Sequence, residues 1–357
     1  MILTNMKKIH NTVITIIFIT ICAVCLGTCI DVPISGPYYP DMPNLKDEQP
    51  DAMRQFVIDI ANYARNTSGN PGFIIIPQNG IELAEDNMVT NDGDGKYVKA
   101  INGLGIEDLF YSDDGKLISA SERKKSGDDR LDMLDDITGE LNKSVKTMQI
   151  MVSDYVTTES DRLNSVNLNK NKGFISFPRK NNYSYGAIPA KADQPAMNNY
   201  DITKLSDAQN YLYLISTDNY QSHGGKAAFL TDIEKTDYDV VLIDLFFNGT
   251  PLTYQEINQL KTKADGGTRL VIAYINIGSA ENWRYYWKNE WHVGNPDWLR
   301  KRYSGYDDEI WVDFRDSEWQ DIIYGNNDSY MKKIIDAGFD GVYLDNVEAY
   351  YFIANDE

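Results

Sequence analysis

The chain alternates between two hydrophobic periods. From Pro50 to Arg65 the apolar residues Met53, Phe56, Val57, Ile60, Ala61 and Ala64 recur at three-and-four spacing, which predicts an amphipathic helix. Pro71-Gly72 breaks it. Phe73-Ile74-Ile75-Ile76-Pro77 follows, a continuous apolar run too short for a helix and suited to a strand buried on both faces of a parallel sheet. The exchange continues with a helix near Ile81 to Asn87 and short elements over Tyr97 to Ile101 and Gly103 to Ile106. Charged Ser121 to Arg130 reads as a loop. A helix over Leu131 to Val145, a strand over Met148 to Val152, a helix over Thr158 to Asn169 and an extended run over Gly173 to Phe177 come next. Asn181 to Asp201, rich in Asn, Pro, Tyr and Ala, reads as a linker. Beyond it, strands at Tyr211 to Ile215, Val240 to Ile243, Leu270 to Ile275, Ile310 to Val312 and Gly341 to Leu344 are predicted. They are interleaved with helices over Ala227 to Glu234, Tyr254 to Ala264 and Trp319 to Ala337, the last closed by Gly338. Such alternation predicts a parallel sheet with helices outside it. Roughly eight strand candidates, without a glycine-rich nucleotide loop, favour a TIM-like (β/α)8 barrel over an open doubly wound sheet.

The strand ends carry the candidate chemistry. Asn79, Asp154, Asp244, Asn276, Asp313 and Asp345 each close an apolar run, and in a parallel barrel all such ends lie on one rim around one pocket. Asp and Asn are also common turn and cap residues, so any single position is ordinary and the six together are the signal. The rim is rich in carboxylates, while the three cysteines (Cys22, Cys25, Cys29) and one of the three histidines (His10) lie near the N-terminus. Thiol catalysis, a disulfide framework and a multi-histidine metal centre are thereby excluded from the body. Clustered carboxylates suit glycoside hydrolysis, which needs one carboxyl group as proton donor and another as nucleophile or base. They also suit a hard cation, but no EF-hand-type spacing is present. Tyr155, Tyr274, Trp283, Tyr285, Tyr286, Trp287 and Tyr350 fall near the same ends and offer flat faces for sugar rings. A net charge of −19 argues against nucleic acid as a partner and suits a cationic ligand. No cofactor is implied.

At the N-terminus, Lys7 and Lys8 precede an apolar stretch from Thr12 to Gly27, the pattern of a secretory signal, and Leu26-Gly27-Thr28-Cys29 resembles a lipidation site at Cys29. Residues 1–29 are therefore expected to be a signal peptide or lipoprotein leader and 30–49 a tether. The body, 50–357, would be extracellular and held at the membrane through a lipid or an uncleaved anchor.

Particular strings extend this reading. Ala273-Tyr274-Ile275-Asn276-Ile277-Gly278-Ser279-Ala280-Glu281-Asn282-Trp283-Arg284 and Gly338-Phe339-Asp340-Gly341-Val342-Tyr343-Leu344-Asp345-Asn346-Val347 resemble the glycoside hydrolase 114-like family. That group includes endo-α-1,4-polygalactosaminidases and proteins labelled cysteinyl-tRNA synthetase-related. Ile243-Asp244 and Trp311-Val312-Asp313 resemble its second and fourth strands. Phe73 to Gly80 with Glu82 resembles the sixth, and Gly105-Ile106-Glu107-Asp108-Leu109 the seventh. The order implies circular permutation: 50–180 would hold family strands six to eight, 181–201 the linker joining the ancestral ends, and 202–357 strands one to five. A closed barrel tolerates this, because its connections lie at the surface. The resemblance implies Asp345 as nucleophile. The family places a Glu on the next strand as acid/base, where this chain has Gln78-Asn79, so Glu107 and Glu82 are the replacements. Asp244, Tyr274, Asn276, Glu281, Trp283, Arg284, Asp313, Asn346, Gln78, Asn79 and Asp154 would contact the sugar, with Arg284 and Glu281 alternatively forming a rim ion pair. The function implied is hydrolysis of an α-linked amino-sugar polysaccharide. The alternatives are a non-catalytic glycan-binding protein on the same barrel and a cation-dependent structural protein.

Overall fold

The structure, a computed structural model, describes residues 48–89, 95–142, 147–180 and 185–354. The expected leader, most of the expected tether and the expected lipidation site at Cys29 lie outside the described residues. Among those residues no helix is long and apolar enough to cross a membrane.

Eight parallel strands carry the fold among the described residues. In chain order they are β1 (Ile74–Pro77), β2 (Gly103–Glu107), β3 (Gln149–Ser153), β4 (Ile175–Ser176), β5 (Tyr211–Leu214), β6 (Val240–Asp244), β7 (Leu270–Asn276) and β8 (Gly341–Asp345). The β5–β6–β7–β8–β1 strands form one parallel sheet and β2–β3–β4 another. Their apolar runs are continuous because both faces are covered: every residue of β1, β5, β6 and β7 is buried. The two sheets meet at β1 and β2. There Gln78 and Gly105 form a parallel bridge, the Asn79 N–H donates to the Gly105 carbonyl and the Asn102 N–H to that of Ile75.

The lateral order is therefore β5-β6-β7-β8-β1-β2-β3-β4, with the last strand between the seventh and the first. Register aligns Tyr343 with Tyr274 and with Ile76, and Asp345 with Asn276. No β4–β5 ladder forms among the described residues, so the expected closure of the barrel is not completed by strand hydrogen bonds. Side chains fill that seam instead. Phe177, just past β4, packs on Tyr211 and Tyr213 of β5 at 5.7 and 6.4 Å between ring centroids. Across the interior, Tyr343 of β8 meets Tyr213 of β5 edge-on at 5.5 Å. Gly105 makes room for this layer: a Cβ there would stand 1.9 Å from the Tyr343 phenol oxygen.

Helices cover the outside. The first, Glu48–Ser68, buries the predicted stripe from Met53 to Ala64, each large side chain contributing roughly 1.5–3 kcal/mol. Three expectations are corrected. The charged stretch after Ser119 is not a loop: Ala120–Ser126 is a helix closed by a Ser119/Glu122 capping box, local hydrogen bonding that hydrophobic periodicity does not register. Trp319 to Ala337 is two helices, Ser317–Ile323 and Tyr330–Ala337, separated by Gly325 in a left-handed conformation and restarted by Ser329 as N-cap. Third, Glu309–Val312 does not join the parallel series as a fourth family strand. It pairs antiparallel with Ser279–Glu281 and Leu299–Arg302 in a small sheet beyond the end of β7.

Candidate active site

A cleft of about 910 Å³ opens at the C-terminal ends of these strands. Ten of its lining residues are Asp or Glu and two are Arg, and both arginines are already committed to lining carboxylates. Acidic groups therefore far outnumber basic ones along the wall.

Asp345 ends β8 and faces this cleft. Its Oδ2 accepts a hydrogen bond from the Tyr274 phenol at 2.5 Å, and its Oδ1 accepts from the Asn346 N–H at 2.8 Å. Burial pushes its carboxyl up to about 7; the phenol bond opposes the rise and the charge of Glu107 adds to it. The group is thus poised near neutrality. One strand away along β7, Asn276 donates to Ser279 Oγ (2.7 Å) and to Glu309 Oε2 (3.2 Å), and Ser279 Oγ donates to the same oxygen at 2.6 Å. Burial and the neighbouring charge of Glu281 push Glu309 up to about 8 against the Ser279 bond. Gly278 permits the β7 and β8 loops to touch here, since a Cβ would stand 1.9 Å from the Asn346 carbonyl oxygen.

A buried triad forms the next part of the wall. Arg284 Nη1 donates to Asp244 Oδ2 at 2.6 Å, while Nε and Nη2 donate to Glu281 at 2.6 and 3.1 Å. The Arg284–Glu281 pairing expected on the rim is present, but buried and shared with Asp244 from β6. Trp283 and Tyr285 stay half exposed beside it, with the Arg284 guanidinium 5.7 Å from the Trp283 ring. On the opposite side, Glu107 at the end of β2 accepts a short hydrogen bond from the Tyr185 phenol, and Tyr185 stacks on Tyr213 at 3.8 Å. Arg179 grips Asp108 through two bonds of 2.8 and 2.9 Å, and burial pushes that carboxyl up to about 7 against the opposing charge of Arg179. Between the two flanks, Asn79 Nδ2 donates to Glu348 Oε2 at 3.3 Å while its Oδ1 accepts from the Glu107 N–H.

All four non-glycine residues with positive φ among the described residues line the cleft: Asn79 (57°), Asp108 (52°), Asn248 (49°) and Asn346 (59°). Three lie within two residues of the ends of β1, β2 and β8. Side chains held in this sparsely populated region gather where the surroundings enforce a functional geometry.

Of the residues expected at the site, Glu107, Asp244, Tyr274, Glu281, Trp283, Arg284, Asn346, Gln78, Asn79 and Asp345 line the cleft. Four do not. Asp154 is wholly buried, accepting from the Phe110 and Tyr111 N–H groups, the Ser165 hydroxyl and the Asn169 amide; it ties β3 to the loop and helix around it. Asp313 follows the antiparallel excursion and is occupied by Arg315 at 2.8 Å. Asn276 acts one layer beneath, through Ser279 and Glu309. Glu82 takes the phenol of Tyr350 away from the cleft. Sequence reasoning missed Glu309, Glu348, Tyr185 and the Asp108–Arg179 pair. The only signal for Glu348 was its place three residues after Asp345, directly beyond the block that holds it; nothing local marks Glu309, which arrives on the excursion.

The geometry so far is a carboxylate-lined cleft at parallel strand ends, floored by Asp345. Residues 204–357 match the family model for glycoside-hydrolase family GH114. The GH114 match contains β5 to β8, and with them Asp244, Tyr274, the Glu281–Arg284 pair, Glu309, Asp345 and Glu348. Strands β1 to β4, with Asn79 and Glu107, precede it. The chain is also similar to three uncharacterized proteins. It is 30% identical to one from Thermotoga maritima over 35% of this chain and 37% of the relative. It is 32% identical to one from Methanocaldococcus jannaschii over 46% and 45%. It is 34% identical to one from Deinococcus radiodurans over 34% and 37%. The chain thus spans less than half the length of each of these relatives.

Proposed function

We propose that the protein is a glycoside hydrolase acting on an amino-sugar polysaccharide outside the cell, with Asp345 as its nucleophile. The observation that carries the reading is the placement of Asp345: at a strand end, on the floor of an acid-lined cleft, oriented by Tyr274 and Asn346, within the GH114-matching segment. The chemistry is double displacement. Asp345 attacks the anomeric carbon while a second carboxyl group protonates the departing oxygen, and water then hydrolyses the glycosyl ester. An anionic wall favours a polymer bearing free amino groups, as an α-1,4-linked galactosamine chain does. Half-exposed Trp283 and Tyr285 provide flat faces at the cleft edge for sugar rings.

Two further statements belong to this reading. The eight strands act as a (β/α)8 barrel whose β4–β5 seam is closed by aromatic packing, and the chain is a circular permutant of the family order. Supporting both, β1 comes before the GH114-matching segment yet pairs with β8 inside it, and β2 to β4 continue the order from β1 through the Gln78–Gly105 bridge. Secretion and a lipid anchor at Cys29 rest on the leader sequence.

The test is release of reducing ends from α-1,4-galactosamine polymer by the purified body, with Asp345→Asn as control. Release that survives the substitution would remove Asp345 from the mechanism. Binding of the polymer without cleavage would favour a glycan-binding role, the reading suggested by the amides Gln78 and Asn79 at the tip of β1.

A further inference from the structure

Asp345 and Glu309 are cleft carboxyl groups that lack a basic partner. The bases lining the cleft are Arg179 and Arg284, and their ion pairs run to Asp108, Asp244 and Glu281. Among the described residues, the hydrogen bonds to Asp345 and Glu309 come only from phenol, hydroxyl, amide and backbone donors. The charges acting most strongly on Glu309 are all negative: Glu281, Asp345 and Asp308. Its own charge is felt by the phenols of Tyr274, Tyr286 and Tyr303. A buried carboxylate among like charges is stabilised by a cation, and no described side chain brings one to this group.

Glu309 is nevertheless held in one network with Asp345. Two donors converge on its Oε2, Ser279 Oγ at 2.6 Å and Asn276 Nδ2 at 3.2 Å. The Asn276 amide is fixed in this sense, because its Oδ1 accepts from the Gly278 and Ser279 N–H groups. Asn276 is the register partner of Asp345 on the neighbouring strand. A second path runs through Ser279 Oγ, which accepts from Asn346 Nδ2 at 3.1 Å, while the Asn346 N–H donates to Asp345 Oδ1 at 2.8 Å. The two acids differ in what this network leaves open. Both oxygens of Asp345 accept protein hydrogen bonds. Glu309 is more than nine-tenths buried and lines the cleft, yet its Oε1 accepts no hydrogen bond among the described residues. Unlike Glu348 Oε1, that oxygen is not sealed from solvent. It is the unmet acceptor of the network, open to a ligand. Burial and the like charges lift the carboxyl to about 8, and a cation arriving at Oε1 opposes that rise.

A 2-amino sugar carries its amine on the carbon next to the anomeric one. The ammonium group of a sugar under attack by Asp345 therefore lies against whatever shares the Asp345 network. Building on the amino-sugar reading above, we propose that Glu309 is the residue that selects a free amino sugar, its Oε1 receiving the ammonium group of the substrate. As the ammonium binds, the Glu309 carboxyl releases its proton to solvent, and a charge-assisted hydrogen bond offsets the repulsion from Glu281 and Asp345. An N-acetyl group in the same place brings no charge, and it adds a carbonyl and a methyl group to be housed. Proton donation to the glycosidic oxygen stays with another carboxyl group of the cleft. Glu107, whose charge acts on Asp345, is left available for it.

The experiment measures binding of two probes by calorimetry: a sulfur-linked α-1,4-galactosamine disaccharide, which resists cleavage, and its N-acetylated counterpart. Wild type should bind the amine probe about 10–100-fold more tightly, the value of one charge-assisted hydrogen bond. Glu309→Gln should bring the two probes to near parity. Titrations at mildly acidic pH in buffers of different ionisation enthalpy count protons, and wild type should release about one more than Glu309→Gln on binding the amine probe. A purely structural role for Glu309 would weaken both probes alike and leave the preference intact, and a thermal melt shows whether the variant folds. The wild-type readings stand without any variant: no preference between the probes, or no proton released with the amine, overturns the assignment. So does a folded Glu309→Gln chain that keeps the preference, or a preference removed by Glu107→Gln or Glu348→Gln instead. In each of these cases cleavage of α-1,4-galactosamine polymer by wild type leaves the hydrolase reading in place. A wild type that prefers the amine probe but leaves the polymer intact keeps Glu309 as the selector and overturns hydrolysis. A folded wild type that binds neither probe and leaves the polymer intact overturns the amino-sugar reading, and this assignment with it.

Discussion

Replacing Asp345 with Asn should make the folded protein more stable at pH 8 while abolishing turnover. Burial raises this carboxyl from 3.8 to about 7. The folded state therefore holds the proton more tightly than the unfolded chain does. Below pH 3.8 both states are protonated and the group contributes no pH dependence. Between 3.8 and about 7 the unfolded chain gives up its proton first, so stability falls as pH rises. Above 7 the loss is complete, and the gap corresponds to roughly 4 kcal/mol. Asparagine is neutral throughout and nearly the same shape. It still accepts from the Asn346 N–H, and its amide can donate to the Tyr274 oxygen. Side-chain relaxation reduces the difference, so a gain of about 2–4 kcal/mol is expected at pH 8, seen as a melting temperature several degrees higher. At pH 3.5 wild type and variant should coincide. Urea or thermal melts of both proteins from pH 3.5 to 9 read this directly. An Asp345→Asn chain less stable than wild type at pH 8, or a difference that does not grow across this window, would refute the idea that the carboxylate is held under electrostatic strain.

Arg284→Ala leaves Asp244 and Glu281 buried without their cation and should cost about 3–5 kcal/mol in urea unfolding at pH 7. Gly105→Ala drives a methyl group into the Tyr343 ring and should destabilise by about 3 kcal/mol, with Gly105→Ala/Tyr343→Leu recovering part of the loss in thermal melts. Asp154→Ala strands buried donors on Phe110, Tyr111, Ser165 and Asn169; it should lower stability by about 3 kcal/mol yet leave the specific rate of reducing-end release unchanged in the folded fraction.

The parallel strands were legible because each is an unbroken apolar run, which burial on both faces demands, and the positions of β1 and β5 to β8 follow from that alone. The site's floor was legible for the same reason, since Asp244 and Asp345 are where those runs stop. What failed to show depended on other elements. Asp154 and Asp345 look alike in sequence, each an acid after an apolar strand. Only the packing decides that Ser165 and Asn169 from a neighbouring helix consume the first while the second faces open space. Asp313 was misplaced because Ile310 to Val312 reads as a buried strand, and hydrophobicity does not tell an antiparallel excursion from a member of the main sheet. Tyr185 was assigned to a linker, yet its ring stacks on β5 and its phenol reaches Glu107, a contact set by a chain reversal that no local period records.

The position of β8 has a consequence for how the molecule is made. Its lateral partners are β7 and β1, so until β8 is synthesised the growing chain carries two open edges where Asp345 belongs. A nascent polypeptide lacking it has most of the cleft wall but neither Asp345 nor a continuous sheet. Joining β1 to β8 is a contact of long sequence separation and closes slowly. Translation therefore makes Asp345 only after the other seven strands of these sheets, and the exposed edges favour aggregation during that interval.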